Sequence, residues 1–184
     1  MKQFVFWCLA LYGVERIIET FWKRKTIQGK IVAPYTLYIL ITIHVLIFLR
    51  VIFEWTHWEN EKHSWTEVLI GLVSVVGATI VRNWSIYTLG MYHSIHIEIR
   101  DNHPLITDGP YSFTRNPYYL SNAIEVIGFP LLVGASPGIL LSLCLYLPSL
   151  VLRLMIEEYA LEEKLGDSFR VFKSRVPRIL PDLF

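Results

Sequence analysis

Long apolar stretches recur along this chain, and they constrain its fold more than any other feature. A helix needs roughly 20 apolar residues to cross the hydrocarbon core of a bilayer. Because lipid cannot hydrogen-bond to open backbone groups, such stretches are expected to be helical. We predict five membrane helices, at about 3–22, 34–55, 66–90, 117–134 and 138–156. The predicted fold class is therefore all-α, a polytopic integral membrane protein that forms a single domain over 1–184.

Composition agrees with a membrane protein and excludes several other classes. The 184 residues are 53% hydrophobic and 14% aromatic, with a net charge of +1. This is too apolar for a soluble domain of this size, and no basic excess indicates a nucleic acid partner. Cys8 and Cys144 lie in apolar stretches, so neither a disulfide framework nor a metal site is indicated. The start resembles a signal peptide, but Glu15, Arg16 and Glu19 follow it, and we expect it to be retained.

Basic residues in the connections predict the orientation of the helices, since cytoplasmic loops are enriched in Lys and Arg. The first connection carries Lys23, Arg24, Lys25 and Lys30. The second carries Lys62 beside Glu59 and Glu61. We therefore expect the N-terminus outside and the first connection in the cytoplasm. The segments 91–116 and 157–184 are then both cytoplasmic, and any chemistry is expected at this membrane boundary.

The junction between Arg115 and Tyr119 predicts the start of the fourth helix. Asn116 precedes Pro117, and a residue before proline avoids the helical region. Proline suits the first helical position, and asparagine is a good N-cap. The helix N-terminus beside Arg115 can bind an anion. The same residues also fit a capped helix with an arginine that reaches the membrane interface.

The tail after the fifth predicted helix has apolar side chains at helical spacing. We predict two short amphipathic helices, separated at Gly166 and ended at Val176-Pro177, that lie on the membrane or over a cavity. Glu157 and Glu158 lie where the fifth helix leaves the bilayer. In isolation, this pair fits a solvated helix end better than a functional site.

Glu125 is a carboxylate inside the fourth apolar stretch, roughly 12 Å from its start at 1.5 Å per residue. His44 lies at a similar depth in the second helix, roughly 15 Å from the same side. An ionisable residue within the membrane indicates function or pairing. We expect a structural Glu125–His44 contact or a carboxylate that faces a cavity, rather than direct catalysis.

Two blocks of this sequence resemble a known family. The segment HPLITDGPYSFTRNPYYL (103–120) is similar to the pattern H-x-L-x-T-x-G-x-Y-x-x-x-R-H-P-x-Y of isoprenylcysteine carboxyl methyltransferases. The tail RLMIEEYALEEKLGDSFRVFKSRVPRILP (153–181) resembles the C-terminal segment of that family. LGMYH (89–93) is a weaker match. The resemblance covers about 82–181 in the family's order.

The resemblance implies a membrane enzyme that binds S-adenosylmethionine in a cytoplasmic pocket completed by the tail. A lipophilic or prenylated acceptor would enter from the bilayer. The family pattern assigns catalysis to Arg115, Glu158 and Arg175, with the two arginines orienting an acceptor carboxylate. The residues that it places around the cofactor are His103, Leu105, Gly109, Tyr111, Asn116, Pro117, Tyr119 and Glu157. The cofactor's cationic groups would suit Glu157 or Glu158 and aromatic faces.

Two departures from the family pattern leave other functions open. Asn116 stands where the family has histidine, and Ser121 or Asn122 stands where it usually has glycine. Both weaken the transfer of a prenylcysteine substrate, so an acidic hydroxyl of the alkylpyrone type is a second acceptor class. The alternatives are a phospholipid N-methyltransferase, a membrane NADPH-dependent sterol-type reductase and an inactive membrane scaffold. An amine acceptor would not need Arg115 and Arg175, whereas Asn116 is the best support for a scaffold.

Overall fold

The computed structural model describes residues 1–21, 25–57, 59, 64–102 and 104–179. Predictions that rest on Lys23, Arg24, Glu61, Lys62 or His103 lie outside these residues. The described chain forms helices α1 Lys2–Phe21, α2 Tyr35–Thr56, α3 Trp65–Leu89, α4 Pro117–Leu131, α5 Ser136–Leu141, α6 Leu147–Leu165 and α7 Asp167–Arg175. It also forms two strands, β1 Lys30–Val32 and β2 Ile97–Ile99. Short 3-10 helices cover Gly90–Tyr92 and Gly109–Ser112.

Three helices in the described chain are long and apolar enough to cross a membrane. They are Tyr35–Thr56, Trp65–Tyr92 and Ser136–Leu165, with mean hydropathies of 2.3, 1.5 and 2.2. The chain is therefore a multi-pass integral membrane protein, as predicted. Helices α1 and α4 also form where the sequence predicted them, but α4 has only 15 residues and α1 carries three charged side chains in its second half. The count of five spans stays a prediction.

The last apolar helix is longer than predicted. A π-helical turn at Ser142–Tyr146 joins α5 to α6, so the helix continues from Ser136 to Leu165. Pro148 lacks the N–H that a regular α-helix would use two residues beyond this turn, which accounts for the local change of hydrogen bonding. Of the two short tail helices predicted, the second forms as α7, whereas the first is the end of α6. Gly166, with a φ of 57°, ends α6 and leaves α7 as the separate tail helix.

The two strands pair antiparallel and are a small addition to a fold that is mostly helical, as predicted. The Gly29 N–H donates to Glu98 Oε1 at 2.6 Å, and Arg100 Nε donates to the carbonyl of Ile27 at 2.5 Å. Burial alone would raise the pKa of Glu98, but the hydrogen bond from Gly29 and the charge of Arg100 hold it below its usual value. Strands of three residues carry too little pattern to be predicted. Their pairing brings the first connection and the segment after α3 to the same end of the bundle.

Helices α3 and α4 cross with their backbones close together. A Cβ atom on Gly71 would lie 2.9 Å from the carbonyl oxygen of Gly128. A Cβ atom on Gly128 would lie 2.6 Å from the Cβ atom of Ser74. Small residues allow such close approach between membrane helices. The crossing holds the end of α4 against the first turns of α3.

A cluster of charged side chains joins α1, α3 and α4 inside the bundle. We call it the interhelical cluster, and its members are Glu15, Arg16, Glu19, Arg82 and Glu125. The Arg82 guanidinium is fully buried and contacts Glu125 through Nη1. Its Nη2 lies 2.7 Å from Glu15 Oε2, and its Nε lies 2.9 Å from Glu19 Oε2. One guanidinium therefore bridges carboxylates from two other helices.

Glu125 is a buried pairing residue, but its partner is not the one predicted. The Tyr12 hydroxyl and Arg82 donate hydrogen bonds to Glu125. The ring of His44 instead packs against Tyr146, with 5.9 Å between ring centroids. The prediction compared depths in α2 and α4 alone. It failed because depth does not specify how each helix is rotated about its axis, and α3 presents Arg82 at the same level.

Candidate functional site

The segment that leads into α4 is shaped by a glycine turn against α3. Gly109 has a φ of 57°, and a Cβ atom there would lie 2.8 Å from Thr88 Oγ1. Any residue other than glycine would be strained here, because its backbone would have a positive φ and its Cβ atom would collide with Thr88. Tyr111 follows the turn and is buried. Burial and the nearby negative charge of Glu157 raise the pKa of the Tyr111 phenol. The structure thus brings Tyr111, from the segment before α4, close to Glu157 on α6.

Three side chains meet around the buried carboxylate of Glu158, and together with it we call them the tail cluster: Arg115, Asn116, Glu158 and Arg178. Arg115 Nε and Asn116 Nδ2 donate to Glu158 Oε1 at 3.0 and 2.8 Å. Arg178 Nε donates to Glu158 Oε2 at 3.0 Å. Glu158 is only 4% exposed, and a buried carboxylate needs such partners. The two blocks recognised in the sequence therefore meet at Glu158.

Arg115 also holds the backbone of the tail. Its Nη1 donates to the carbonyls of Lys173 and Val176 at 3.0 and 2.5 Å. Its own backbone N–H donates to the carbonyl of Pro177 at 2.9 Å. These carbonyls lie at the end of α7 and just beyond it, where a helix leaves acceptors without partners. Arg115 therefore acts as a clamp between the start of α4 and the tail.

Asn116 occupies the N-cap position before Pro117, but its side chain makes no capping hydrogen bond. Its amide Nδ2 donates to Glu158 and, at 3.0 Å, to the carbonyl of Arg178. Thr114 Oγ1 donates to the same carbonyl at 3.0 Å. The prediction of Asn116 as a side-chain cap is wrong, because the amide is turned toward the buried carboxylate. Pro117 begins α4, as predicted.

Glu157 has different surroundings from its neighbour Glu158. The hydroxyl of Tyr119 donates to Glu157 Oε2. Arg153 lies four residues earlier on α6 and acts electrostatically on Glu157. Arg153 also donates to Thr36 Oγ1 at 2.8 Å and to the carbonyl of Ile95 at 2.6 Å. This buried arginine ties α6 to α2 and to the segment after α3.

Not every predicted site residue is brought to this region. Arg175 is exposed at the end of α7 and makes no contact with Glu158 in the described part of the chain. The backbone becomes extended at Val176, which carries Arg178 back toward Glu158. Leu105 is half-buried in the segment between β2 and the Gly109 turn. His103 lies outside the described residues.

Sequence reasoning missed three residues of this region: Thr114, Arg153 and Arg178. For Arg153 a signal existed, because an arginine in an apolar helix four residues before Glu157 faces the same side. For Arg178 the signal was weaker. Arg178 directly follows Val176-Pro177 after the end of α7, and the family pattern assigned the tail arginine to Arg175 instead.

The side chains on the Glu157 side fit the cofactor implied by the resemblance. S-adenosylmethionine would bring an ammonium and a sulfonium, which suit a carboxylate and aromatic faces. Both oxygens of Glu158 already accept from guanidinium or amide groups. Within the described residues, Glu157 keeps one oxygen without a hydrogen bond. Glu157, with the rings of Tyr111 and Tyr119, is therefore the set that would hold the cationic end of this cofactor.

The family comparison covers the region that contains this site. The model of the isoprenylcysteine carboxyl methyltransferase (ICMT) family matches residues 69–163. The chain belongs to the ICMT family. The match includes Arg115, Asn116 and Glu158 of the tail cluster, and it ends before Arg178. The membership predicted from the two sequence blocks is confirmed.

Individual relatives of this ICMT-family chain differ in length. The uncharacterized protein YpbQ of Bacillus subtilis is 29% identical over 171 residues, which cover 86% of this chain and 98% of YpbQ. Protein-S-isoprenylcysteine O-methyltransferase of Xenopus laevis is 31% identical over 126 residues, which cover 64% of this chain and 41% of that enzyme. A solved structure of the eukaryotic intramembrane Ras methyltransferase ICMT aligns with a TM-score of 0.63 and 22% identity. It shares this chain's fold over 78% of the chain, which spans 52% of that protein.

Proposed function

We propose that this protein is an S-adenosylmethionine-dependent methyltransferase that acts in the membrane on the acidic oxygen of a lipophilic acceptor. Membership of the ICMT family supports methyl transfer. The observation that carries the proposal is the meeting of Arg115 and Asn116 with Glu158 and the tail. This arrangement puts a carboxylate, aromatic rings and guanidinium groups at one end of the bundle. The acceptor is a carboxylate of the prenylcysteine type or an acidic hydroxyl of the alkylpyrone type.

The residues of the site have separate tasks in this proposal. When bound, the cofactor supplies a methyl group activated by its sulfonium. Glu157 would hold the cofactor's ammonium, and Tyr111 and Tyr119 would exclude water around it. Arg115 holds the tail against the start of α4 through Glu158 and the carbonyls of Lys173 and Val176, and Arg178 orients the acceptor. A carboxylate acceptor is already ionised at neutral pH, so these residues would need to orient and desolvate it rather than supply a base.

The proposal includes a cytoplasmic site and an outside N-terminus. It is supported by the basic side chains of the tail, which are Lys164, Arg170, Lys173, Arg175 and Arg178. Alkaline phosphatase, which is active only outside the cytoplasm, tests the orientation when fused after the last residue. We expect an inactive fusion at that end and an active fusion at residue 1. The reverse result would invert the orientation.

Isothermal titration of the purified, folded protein with S-adenosylmethionine and with NADPH tests the proposed function. We expect S-adenosylmethionine to bind and NADPH not to bind. Transfer of a labelled methyl group to prenylcysteines, alkylpyrones and phospholipids then identifies the acceptor class. Methylation of a phospholipid amine would favour a phospholipid N-methyltransferase, and binding of NADPH alone would favour a sterol-type reductase. Binding of neither compound would indicate an inactive scaffold and overturn the proposal.

A further inference from the structure

Arg153 is a charged residue in the apolar helix that continues from Ser136 to Leu165, and it is only 6% exposed. A guanidinium in such a place is costly unless its donors are satisfied. Nη1 donates to Thr36 Oγ1 at 2.8 Å, and Nη2 donates to the carbonyl of Ile95 at 2.6 Å. Thr36 Oγ1 in turn donates to the carbonyl of Ala33 at 2.8 Å, just before α2. Arg153 is therefore fixed from two sides, by the start of α2 and by the segment before β2.

The charge of Arg153 acts on the pair formed by Tyr119 and Glu157. The Tyr119 hydroxyl donates to Glu157 Oε2, and Arg153 acts electrostatically on both groups. Residues four apart on a helix lie on the same side, so Arg153 and Glu157 are neighbours. These two described side chains form no direct ion pair. Nη1 and Nη2 of Arg153 are bound to Thr36 and Ile95 instead.

The distance between this guanidinium and the partly buried Glu157 determines what the carboxylate can do. A carboxylate must be ionised to bind a cation, and a positive charge nearby stabilises that form. A guanidinium in direct contact would instead bind the carboxylate with two donors and compete with an incoming ammonium. Because its anchors hold Arg153 away from Glu157, the arginine stabilises the negative charge without occupying the carboxylate itself.

We propose that Arg153 is a positioning residue that prepares Glu157 for the ammonium of S-adenosylmethionine, an inference that rests on the proposed function. Its two anchors, Thr36 Oγ1 and the carbonyl of Ile95, hold the guanidinium at the distance that this task requires. The action of Arg153 is then specific to a ligand that carries the ammonium. An arginine that only stabilised the fold would affect the binding of ligands with and without this group alike.

The experiment compares S-adenosylmethionine with its deaminated analogue, in which hydrogen replaces the ammonium and the sulfonium is kept. Isothermal titration of the purified protein in detergent gives both Kd values for each variant. In the wild type, we expect S-adenosylmethionine to bind about tenfold or more tighter than the analogue, as for a charge-assisted hydrogen bond. We expect E157Q and R153M each to reduce this ratio to about twofold or less, and R153K to keep most of it.

The double variant R153M/E157Q separates an action through Glu157 from an independent effect. If Arg153 acts through Glu157, its loss has no further consequence once the carboxylate is gone. We therefore expect the double variant to bind S-adenosylmethionine within about twofold of E157Q. Independent effects would instead add in free energy, and the double variant would bind about tenfold weaker than E157Q.

Two further comparisons separate charge, anchoring and stability. R82M is the matched control, because Arg82 is also a buried arginine but belongs to the interhelical cluster. We expect R82M to lower stability and to keep the ratio of the two Kd values. T36V removes one anchor and keeps the charge of Arg153, and we expect it to reduce the ratio about threefold or more. T36S retains the hydroxyl and should stay within about twofold of the wild type.

Several outcomes would overturn the role of Arg153. These are an unchanged ratio in R153M, an equal weakening of both ligands in R153M, and additive losses in the double variant. Thermal unfolding checks that each variant is folded. If R153M does not fold, T36V decides, and an unchanged ratio there would overturn the proposal. A wild type that binds the cofactor and the analogue equally would overturn the roles of Glu157 and Arg153 alone, whereas a wild type that binds neither would overturn the proposed methyl transfer.

Discussion

The interhelical cluster and the tail cluster are built from the same chemical groups. They differ in the ratio of carboxylates to guanidinium groups and in how far their side chains are exposed to solvent. The interhelical cluster has three carboxylates around two guanidinium groups, and its central residues Arg82 and Glu125 are 0% and 2% exposed. The tail cluster has one carboxylate between two guanidinium groups, and its outer member Arg178 is 33% exposed. One cluster is enclosed by three helices, whereas the other has a partly exposed guanidinium.

The difference indicates different tasks for the two clusters. In the interhelical cluster, side chains from α1, α3 and α4 bind one another, so the cluster fixes the positions of helices. In the tail cluster, side chains bind the backbone of a separate segment, and among the described residues Arg178 Nη1 and Nη2 have no partner. A closed set of charges stabilises one arrangement, whereas an open set can exchange solvent for a ligand. We therefore expect mutations in the first cluster to change stability most, and mutations in the second to change tail order and binding.

The largest effect is expected from Arg82→Met. The substitution leaves Glu15, Glu19 and Glu125 without the guanidinium that they share, and breaking a buried ion pair costs about 3–5 kcal/mol. Thermal and denaturant unfolding in detergent would measure this loss. Arg50→Met is the matched control, because Arg50 and Glu54 pair at 2.6 Å with both side chains 28% exposed. We expect about 0.5 kcal/mol or less for the control, and similar losses in the two variants would contradict the structural role of the interhelical cluster.

Arg115→Ala is expected to change global stability less than Arg82→Met does, and to loosen the tail locally. The variant loses the clamp on the carbonyls of Lys173 and Val176, and hydrogen bonds to a charged group contribute about 1.5–3 kcal/mol each. Amide hydrogen exchange over 167–179 should therefore become about tenfold to a hundredfold faster, while exchange in α3 changes little. Methyl transfer should fall with it.

Arg170→Ala is the control for this measurement. Arg170 is 65% exposed and pairs with Glu162 and Asp167 on the surface of the tail. We expect no change of exchange beyond its own helix. If Arg115→Ala left the exchange of the tail unchanged, apolar packing of α7 would be enough to hold the tail.

The smallest effect is expected from Asn116→His, which restores the family pattern. The Asn116 amide donates to both Glu158 and the carbonyl of Arg178, whereas a neutral imidazole has one N–H. The two neighbouring arginines disfavour a charged imidazole. We expect a loss of about 1 kcal/mol in stability and little change in cofactor affinity. Asn116→Ala should cost more, because it removes both donors, and the opposite ranking in thermal unfolding would contradict the geometry of the tail cluster.

Local chemistry explains which parts of the fold could be predicted from the sequence. The start of α4 was predicted correctly, because proline and the residue before it restrict the backbone without help from the rest of the chain. The end of α6 was not, because two adjacent carboxylates, Glu157 and Glu158, fit a solvated helix end when only the sequence is considered. In the structure, Arg115 and Tyr119 supply partners that allow both carboxylates to stay within a continuous helix.

Partners distant in the sequence could not be predicted in the same way. Arg82 and Glu125 are separated by 43 residues, and their contact depends on the rotation of α3 against α4. Hydropathy does not define this rotation, since the lipid-facing and inward-facing sides of a membrane helix are both apolar. The contact between Arg178 and Glu158 could not be predicted either. It depends on the extended backbone after α7, which carries Arg178 to Glu158 and leaves Arg175 exposed.

The sequence by itself determined that this chain is a membrane protein of helices, that it belongs to the ICMT family, and that α4 begins at Pro117. These properties depend on the lengths of apolar stretches and on neighbouring residues. Only the tertiary structure decided which donors share each buried carboxylate: Arg82 and Tyr12 at Glu125, and Arg115, Asn116 and Arg178 at Glu158. The physical reason is that a buried charge accepts whichever donors the packing of distant segments brings within about 3 Å.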